Sequence, residues 1–264
     1  PDSGRASVAG IDVVADPDAV RRAIGVVSQG SGVDVRATGR ENLRLQGQLY
    51  GMRGASLEQR ASELLEMFGL AEAGDRIAGN YSGGMQRRLD IAMALVQDPH
   101  VLFLDEPTTG LDPEVRAEMW GEISRLAGDH GKTVLLTTHY LDEADQLASR
   151  LAIIDRGRVV ASGTPDELKR ELRGDAVVVE LGADVGELNG TLANVAGIRD
   201  VVVDGRALHA RADDGGRAVP AVLAALESHG VEVSSVRVAR PSLDDVYLRY
   251  TGRTFAAAEA EVSE

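Results

Sequence analysis

The sequence predicts an α/β domain built on a largely parallel sheet, followed by a small α+β domain. Two observations predict the first domain: strands alternate with helices, and the strand segments VLFL (101–104) and TVLLTT (133–138) are almost entirely apolar. Strands of a parallel sheet that is covered on both faces have this composition. The second domain is predicted by a change of pattern after residue 172, where the order of elements becomes β-α-β-β-α-β.

The first domain spans residues 1–172, and hydrophobic periodicity predicts its elements in order. They are a first strand, a short helix from Pro17 to Ala23, strand 24–29, helices 38–50, 56–68 and from Ser82, strand 101–104, a helix from Pro113, strand 133–138, a helix from Leu141, and strands 151–155 and 158–161. The helices between residues 38 and 97 interrupt the alternation of strands and helices. We therefore expect an inserted helical subdomain there.

The second domain spans residues 173–252 and is followed by a tail at 253–264 that we expect to be frayed. Its predicted elements are strand 175–181, helix 186–195, strands 198–203 and 206–211 joined across Asp204-Gly205, helix 216–228, strand 231–238 and an amphipathic helix within 241–253. In that last helix, four apolar residues recur at the spacing of one helical face, namely Leu243, Val246, Tyr247 and Tyr250. This face would either contact another subunit or pack on its own sheet.

Composition excludes several classes of protein. The 264 residues carry a net charge of −14, which argues against nucleic-acid binding because neutralising phosphates requires a basic face. There is no cysteine, so disulfide scaffolds and thiolate metal sites are excluded. No stretch reaches the ~18 consecutive apolar residues of a membrane-spanning helix.

Two adjacent carboxylates, Asp105 and Glu106, follow the apolar strand 101–104. Open α/β sheets bind ligands at the carboxyl ends of their strands, and adjacent carboxylates at the edge of a core are costly unless a cation or hydrogen bonds compensate them. Neighbours along a strand point to opposite faces, so one carboxylate could face Mg²⁺ while the other reaches a water. The ordinary alternative is a strand end that turns into solvent, with Pro107 ending the strand.

Two further polar residues follow predicted strands. His139 comes after TVLLTT, and Gln29 ends the segment IGVVSQ. Taken singly, each has an ordinary explanation, since histidine at a strand end is usually a satisfied polar group and glutamine is a common turn residue.

The helix predicted from Ser82 begins unusually, because Ser82 suits an N-cap but Gly83 and Gly84 occupy the first turn. Each glycine costs up to ~1 kcal/mol relative to alanine and brings no side chain to pack. Glycine is suited to places where backbone amides approach a ligand closely, and amides at a helix N-terminus bind phosphate. We therefore expect a phosphate-binding role for this turn.

Together these motifs are more specific than any one of them. In chain order the sequence shows Gln29 after a strand, YSGGMQRR (81–88), VLFLDEP (101–107), GLD (110–112) and TTH (137–139). Over residues 1–170 this series resembles the nucleotide-binding subunit of ATP-binding-cassette (ABC) transporters. The form YSGGMQRRLD, the small second domain and PSLDDVYLRYTGR (241–253) are similar to the drug-exporter branch typified by daunorubicin-resistance ATPases.

The resemblance implies ATP and Mg²⁺ as cofactors and a role for each residue at the strand ends. Glu106 would polarise the attacking water, and Asp105 would hold Mg²⁺ through water. Gln29 would contact the metal and the water and sense the membrane subunit. His139 would contact the γ-phosphate, and Asp112 would lie at the dimer seam.

The resemblance also implies that Ser82, Gly83 and Gly84 form the signature motif, which faces the γ-phosphate of a nucleotide held by the other protomer. The family most often has glutamine after the two glycines, but here Met85 stands in that place and Gln86 follows. A contact of Gln86 with the nucleotide is therefore in doubt, although the backbone amides are unaffected. The implied partners are a homodimer or second ABC domain and an integral-membrane permease subunit, with no nucleic acid. The implied location is cytoplasmic, at the inner face of a bacterial membrane through the permease.

The P-loop pattern G-x-x-x-x-G-K-[ST] does not occur in these 264 residues. The nearest segment, GDHGKT (128–133), has the wrong spacing and leads into a strand, so we interpret Gly131 as a helix C-cap and Lys132 as a solvated strand-start residue. We expect a P-loop-NTPase-like ABC cassette that is incomplete at its N-terminus, belonging to an ATP-hydrolysing exporter subunit, and we expect the 264-residue chain alone not to bind ATP. The alternatives are a degenerate or truncated ABC domain that acts only as a dimerisation and signature-motif module, and a non-transport ABC ATPase.

Overall fold

A computed structural model describes residues 3–183 and 197–254 of the chain. The chain divides into two compact units, Pro1–His139 and Tyr140–Glu264. The domain boundary that the sequence predicts between residues 172 and 173 stays a prediction. The helix predicted at 186–195 and residues 255–264 of the predicted tail lie outside the described residues.

The first unit has the predicted succession of strands and helices. Its elements are β1 (Ser7–Val8), β2 (Ile11–Asp12), α1 (Pro17–Ala23), β3 (Ile24–Val27), α2 (Gly39–Leu49), α3 (Gly54–Met67), α4 (Gly83–Ala94), β4 (Val101–Asp105), α5 (Pro113–Gly128) and β5 (Thr133–Thr137). Two 3₁₀ turns, Ala71–Ala73 and Ala78–Asn80, lie between α3 and α4. Side-chain caps fix the helix starts, most completely at α2, where Thr38 and Glu41 form a reciprocal capping box.

A parallel sheet in the order β3-β4-β5 positions the site. Its buried face carries Leu102 and Leu104, and α4 packs close to β3 at Gly25, where an added Cβ would collide with the carbonyl oxygen of Ala94. The other face carries the adjacent residues Val26, Phe103 and Leu135, of which Val26 is 59% and Leu135 51% exposed. The expectation of a sheet covered on both faces is therefore wrong for these three strands, as far as the described residues show.

Helix α4 is the centre of the first unit. It contacts β3, α2, α3 and α5. Its apolar side chains Leu89, Ile91 and Ala92 are completely buried. The prediction of a buried helix after Ser82 is confirmed, and its N-terminal turn is the part that remains accessible, with Ser82 and Gly83 exposed.

The second unit contains a four-stranded antiparallel sheet. Its elements are α6 (Leu141–Leu147), β6 (Leu151–Asp155), β7 (Arg158–Gly163), α7 (Pro165–Glu171), β8 (Asp175–Leu181), β9 (Ile198–Asp204), β10 (Ala207–Ala212), α8 (Gly215–Ser228), β11 (Val233–Ala239) and α9 (Leu243–Thr251). The sheet order is β11-β8-β10-β9, with β9 and β10 joined by the predicted turn at Gly205. This strand order is that of a split βαβ fold, in which β10 lies between β8 and β9.

The apolar face of α9 packs within its own unit. Leu243, Val246 and Tyr247 are buried in a cluster with residues of β6, β7 and α7, such as Ile153 and Leu168. Tyr250, the fourth member of the predicted face, is 38% exposed, and its hydroxyl donates to Glu171 Oε2 at 2.7 Å. These three residues therefore pack within their own unit, but on elements of residues 151–171, which the sequence assigns to the first domain. Among the described residues the cluster contains none of the four-stranded sheet, so the alternative in which this face packs on its own sheet is wrong for them.

Candidate functional site

The candidate site lies at the carboxyl edge of the parallel sheet. Because β3, β4 and β5 run in the same direction, their carboxyl ends meet at one edge. Gln29 lies two residues after the end of β3, and His139 lies two residues after the end of β5. Asp105 is the last residue of β4, and Glu106 follows it. The four strand-end residues singled out in the sequence therefore belong to one edge.

Three side chains converge on one oxygen of Glu106. The amide Nε2 of Gln29 donates to Glu106 Oε2 at 3.1 Å, and the hydroxyl of Thr109 donates to the same oxygen at 3.2 Å. Nδ1 of His139 lies 3.3 Å from it. The Glu106 side chain is 29% exposed, so the carboxylate is oriented by protein groups while it remains accessible.

The backbone at Glu106 has an uncommon conformation. Its φ is +46°, in the left-handed region that residues other than glycine seldom adopt. The Glu106 amide donates to the carbonyl of Thr137 at 3.1 Å, which continues the β4–β5 ladder through this residue. Strain of this kind persists only where the surrounding structure enforces it, and it is concentrated at functional sites.

Asp105 has a different environment from its neighbour. Its Oδ1 accepts a short, 2.5 Å hydrogen bond from the hydroxyl of Thr137 on β5. The hydroxyl of Thr137 also accepts from the backbone amide of Glu106 at 3.2 Å, whereas Gln29 and Thr109 donate to the Glu106 carboxylate. The two carboxylates thus accept hydrogen bonds from different side chains.

The start of α4 is exposed at Ser82 and Gly83. Ser82 is the N-cap, with its hydroxyl accepting from the amide of Met85 at 3.3 Å. The amides of Gly83 and Gly84 belong to the first turn, where an α-helix offers no internal acceptor. Gly83 is exposed, but Gly84 is buried, and an added Cβ there would lie 2.5 Å from Cγ1 of Val115 on α5. The expectation that packing does not explain these glycines is therefore wrong for Gly84, because its missing side chain lets α5 approach.

Gln86 and Asp112, two other residues predicted to bind a ligand, form hydrogen bonds with backbone groups of the first unit. The amide Nε2 of Gln86 donates to the carbonyl of Ala78 at 3.3 Å, within the helical region. Asp112 caps α5, its Oδ1 accepting from the amide of Val115 at 3.0 Å. Neither contact reaches Glu106 or His139.

Sequence reasoning missed two charged residues of α4, Arg87 and Asp90, which are only 8% and 7% exposed. Arg87 donates to backbone carbonyls next to the site, and Asp90 accepts from the amide of Gly32 at 2.9 Å. Burial raises the pKa of Asp90, although the Ser31 hydroxyl and the Gly32 amide act in the opposite direction. The only signal in the sequence was their i, i+3 spacing within an otherwise apolar helix face.

The donor set fits Mg²⁺ bound together with a nucleotide. No group of three or more histidine or acidic residues that could hold a metal by itself occurs in the described part of the chain. Mg²⁺ at phosphate sites needs only one or two protein ligands, because phosphates and waters supply the rest. Asp105 offers a carboxylate, and because the amide nitrogen of Gln29 donates to Glu106, its amide oxygen is the atom that could contact a metal.

The chain belongs to the ATP-binding subunits of ABC transporters, a family whose members bind and hydrolyse ATP and work with membrane permeases. The family model described as "ABC transporter" matches residues 1–109, and the model described as "ATP-binding protein DrrA1-3-like, C-terminal domain" matches residues 163–251. The resemblance seen in the motifs, the fold class and the class of enzyme are thereby confirmed.

Several named proteins are similar to this chain over almost its whole length. Daunorubicin resistance ATP-binding protein DrrA3 of Streptomyces coeruleorubidus is 47% identical over 98% of this chain and 82% of its own length. Doxorubicin resistance ATP-binding protein DrrA of Mycobacterium tuberculosis (strain H37Rv) is 40% identical over 95% of this chain and 77% of its own length. Nod factor export ATP-binding protein I of Ralstonia nicotianae is 37% identical over 96% of this chain and 78% of its own length.

Solved structures agree with this assignment. A solved structure of an ATP-binding subunit of an ABC transporter matches with a TM-score of 0.55 and 29% identity, covering 65% of this chain and 71% of that chain. The structure of cbiO1 from Clostridium perfringens, part of the ABC transporter complex cbiONQ, has a TM-score of 0.60 and 26% identity, covering 65% and 70%. Within residues 3–183 and 197–254, the helices are all too short or too polar to cross a membrane.

Proposed function

We propose that this chain is the ATP-hydrolysing subunit of a drug or antibiotic exporter and that Glu106 is its catalytic base. The observation that carries the proposal is the convergence of Gln29, Thr109 and His139 on Glu106 Oε2 at the carboxyl edge of the sheet. Fixing one carboxylate oxygen in this way would leave the other, Oε1, to accept a hydrogen bond from the attacking water. Phosphoryl transfer needs a positioned water and charge neutralisation more than covalent chemistry.

Each of the other site residues has a separate task in this proposal. Bound Mg²⁺-ATP supplies the electrophilic phosphorus and much of the charge neutralisation. Asp105, whose carboxylate is fixed by Thr137, would hold the Mg²⁺ through water, and Gln29 would contribute its amide oxygen. Because Nδ1 of His139 lies against Glu106, Nε2 is the ring atom that would be available to the γ-phosphate.

The N-terminus of α4 forms the other half of a composite site. Ser82, Gly83 and Gly84 would bind the γ-phosphate of a nucleotide held by a second ABC domain, either a copy of this chain or a related subunit. Two observations support this: the turn is accessible at Gly83, and its amides have no helical acceptor. Asp112 would lie at the seam between the two domains, where its hydrogen bond to α5 fixes the loop that precedes that helix.

The proposed membrane partner is a permease, which would hold the subunit at the cytoplasmic face of a bacterial membrane. The names of the relatives, which concern daunorubicin, doxorubicin and Nod factor, support an exporter of that general kind. An accessible apolar surface on the first unit supports a protein partner, because α2 and the residue after it expose Leu45, Leu49 and Tyr50 by 55%, 74% and 40%.

Replacing Glu106 by glutamine tests the role of the base. In the intact transporter, Glu106→Gln should abolish ATP turnover while nucleotide binding is retained, since the amide keeps the shape of the side chain but is not basic. Glu58→Gln, which alters an exposed carboxylate paired with Arg44 on the helical region, should leave turnover unchanged. Retained turnover in Glu106→Gln would exclude Glu106 as the base.

A further inference from the structure

Helix α4 carries two buried charges on one side. Arg87 and Asp90 are one turn apart, and each is more than nine-tenths buried. A buried arginine or aspartate is costly unless hydrogen bonds replace its water, so the partners of these two side chains indicate what the charges do.

Arg87 joins the carboxyl ends of two neighbouring strands. Its Nη1 donates to the carbonyl of Ser28 at 2.8 Å, in the segment that follows β3. Its Nη2 donates to the carbonyls of Asp105 and Glu106 at 2.9 and 3.2 Å, and its Nε donates to that of Pro107 at 2.8 Å. One guanidinium therefore fixes the backbone of the proposed base and the backbone next to Gln29.

Asp90 fixes the other end of the segment that carries Gln29. Its Oδ1 accepts from the amide of Gly32 at 2.9 Å. Its Oδ2 is buried and has no hydrogen-bond partner in the described residues, so the carboxylate is incompletely compensated. Burial correspondingly raises its pKa. An apolar residue at this position would avoid that cost, and stability alone therefore does not explain an aspartate here.

The two contacts enclose Gln29. Residues 28–32 are bound to α4 at Ser28 through Arg87 and at Gly32 through Asp90. The same helix begins at the exposed turn with Ser82 and Gly83. A single rigid element thus connects the proposed phosphate-binding turn with the residues around Glu106.

We propose that Arg87 and Asp90 are positioning residues for hydrolysis, which hold Gln29 and Glu106 at a fixed place relative to the N-terminus of α4. This inference rests on the proposed function. They act through the backbone and do not touch the reacting groups. A displacement of about 1 Å at a catalytic group can reduce a rate by about 10²-fold, so loss of either contact should affect turnover much more than nucleotide binding.

The kinetic test compares variants of the intact transporter. Arg87→Met and Asp90→Ala should each lower kcat for Mg²⁺-ATP hydrolysis at least tenfold while KM changes less than about threefold. Asp90→Asn keeps an oxygen that can accept from the Gly32 amide, so its kcat should stay within about threefold of the wild type. The matched control is Arg60→Met, because Arg60 also donates to backbone carbonyls, those of Leu95 and Val96, but at the far end of α4. We expect Arg60→Met to retain kcat.

Hydrogen exchange at the Gly32 amide provides a second measurement that does not depend on ATP. Exchange should become about tenfold or more faster in Asp90→Ala and stay near the wild-type rate in Asp90→Asn. Wild-type kcat in Asp90→Ala, or an equal loss of kcat in Asp90→Ala and Asp90→Asn, would overturn the inference and leave the proposed function intact. If instead the wild-type transporter hydrolysed no ATP, the proposed function would fail, and unchanged exchange in Asp90→Ala would still refute the contact on which the inference depends.

Discussion

Replacing Gly84 by alanine would put a methyl group 2.5 Å from Cγ1 of Val115, whereas the same change at Gly83 meets nothing closer than Leu111 Cδ2 at 3.9 Å. Overpacking of this kind costs about 1–3 kcal/mol. Alanine recovers at most ~1 kcal/mol of helix propensity. We therefore expect Gly84→Ala to lower the free energy of unfolding by roughly 1–2 kcal/mol and Gly83→Ala to leave it unchanged or raise it by up to ~1 kcal/mol.

Urea unfolding followed by circular dichroism measures both effects. The double variant Gly84→Ala/Val115→Ala removes the atom that the new methyl group meets, so it should be more stable than the sum of the two single effects predicts. If Gly84→Ala were as stable as the wild type, or if Val115→Ala gave no relief, close packing of α4 on α5 would not be the reason for this glycine.

The activity of the same variants separates packing from ligand binding. Gly83 is exposed and its nearest neighbour is distant, so stability does not require glycine there. If its amide and its lack of a side chain serve a phosphate, Gly83→Ala should fold normally and lower ATP turnover at least tenfold. A Gly83→Ala transporter with wild-type turnover would contradict the role proposed for this turn.

Two further predictions concern stability. Burial raises the pKa of Asp90 above 3.8, so the folded state binds this proton more tightly than the unfolded state. The folded state therefore loses stability as the pH rises above 3.8. In thermal unfolding, Asp90→Asn should be more stable than the wild type at pH 7, by a margin that shrinks toward pH 4, and a margin independent of pH would contradict this cause. Gly25→Ala should lower the free energy of unfolding by roughly 2–3 kcal/mol, because the new Cβ would collide with the backbone carbonyl of Ala94. The control Gly121→Ala, in open space on α5, should be neutral or stabilising by up to ~1 kcal/mol. Equal stability of the two variants would refute the packing argument.

Strands of the first unit could be predicted closely from the sequence, because their short apolar composition favours buried strands over other elements. VLFL (101–104) and TVLLTT (133–138) are apolar runs bounded by polar residues, and the structure places β4 and β5 within one residue of them. The position of Gln29, Glu106 and His139 at one edge follows from parallel strands alone. Their convergence on a single carboxylate oxygen depends on side-chain geometry that no periodicity encodes.

Arg87 and Asp90 could not be placed from the sequence for a related reason. Periodicity assigns charged residues of a helix to the solvent, and this rule holds where charges have no buried partners. Here Arg87 donates to backbone carbonyls at the end of a strand. Every strand has such carbonyls, so no residue type in the sequence indicates that they will bind an arginine. The face of α9 posed a similar problem, since its spacing predicted a buried stripe but not the elements that bury it.

The two halves of the proposed site differ in how far they are assembled within the chain. The carboxylate of Glu106 already has orienting contacts from Gln29, Thr109 and His139 within this chain. Preorganised groups of this kind are what electrostatic catalysis uses. The turn at Ser82 and Gly83, by contrast, is exposed, and the proposal gives its amides an acceptor on a nucleotide held by a second domain. Because α4 connects this turn with the segment that holds Gln29, a phosphate bound at the turn would fix the helix that fixes the base. Hydrolysis in such a subunit would therefore depend on a second domain for positioning as well as for binding.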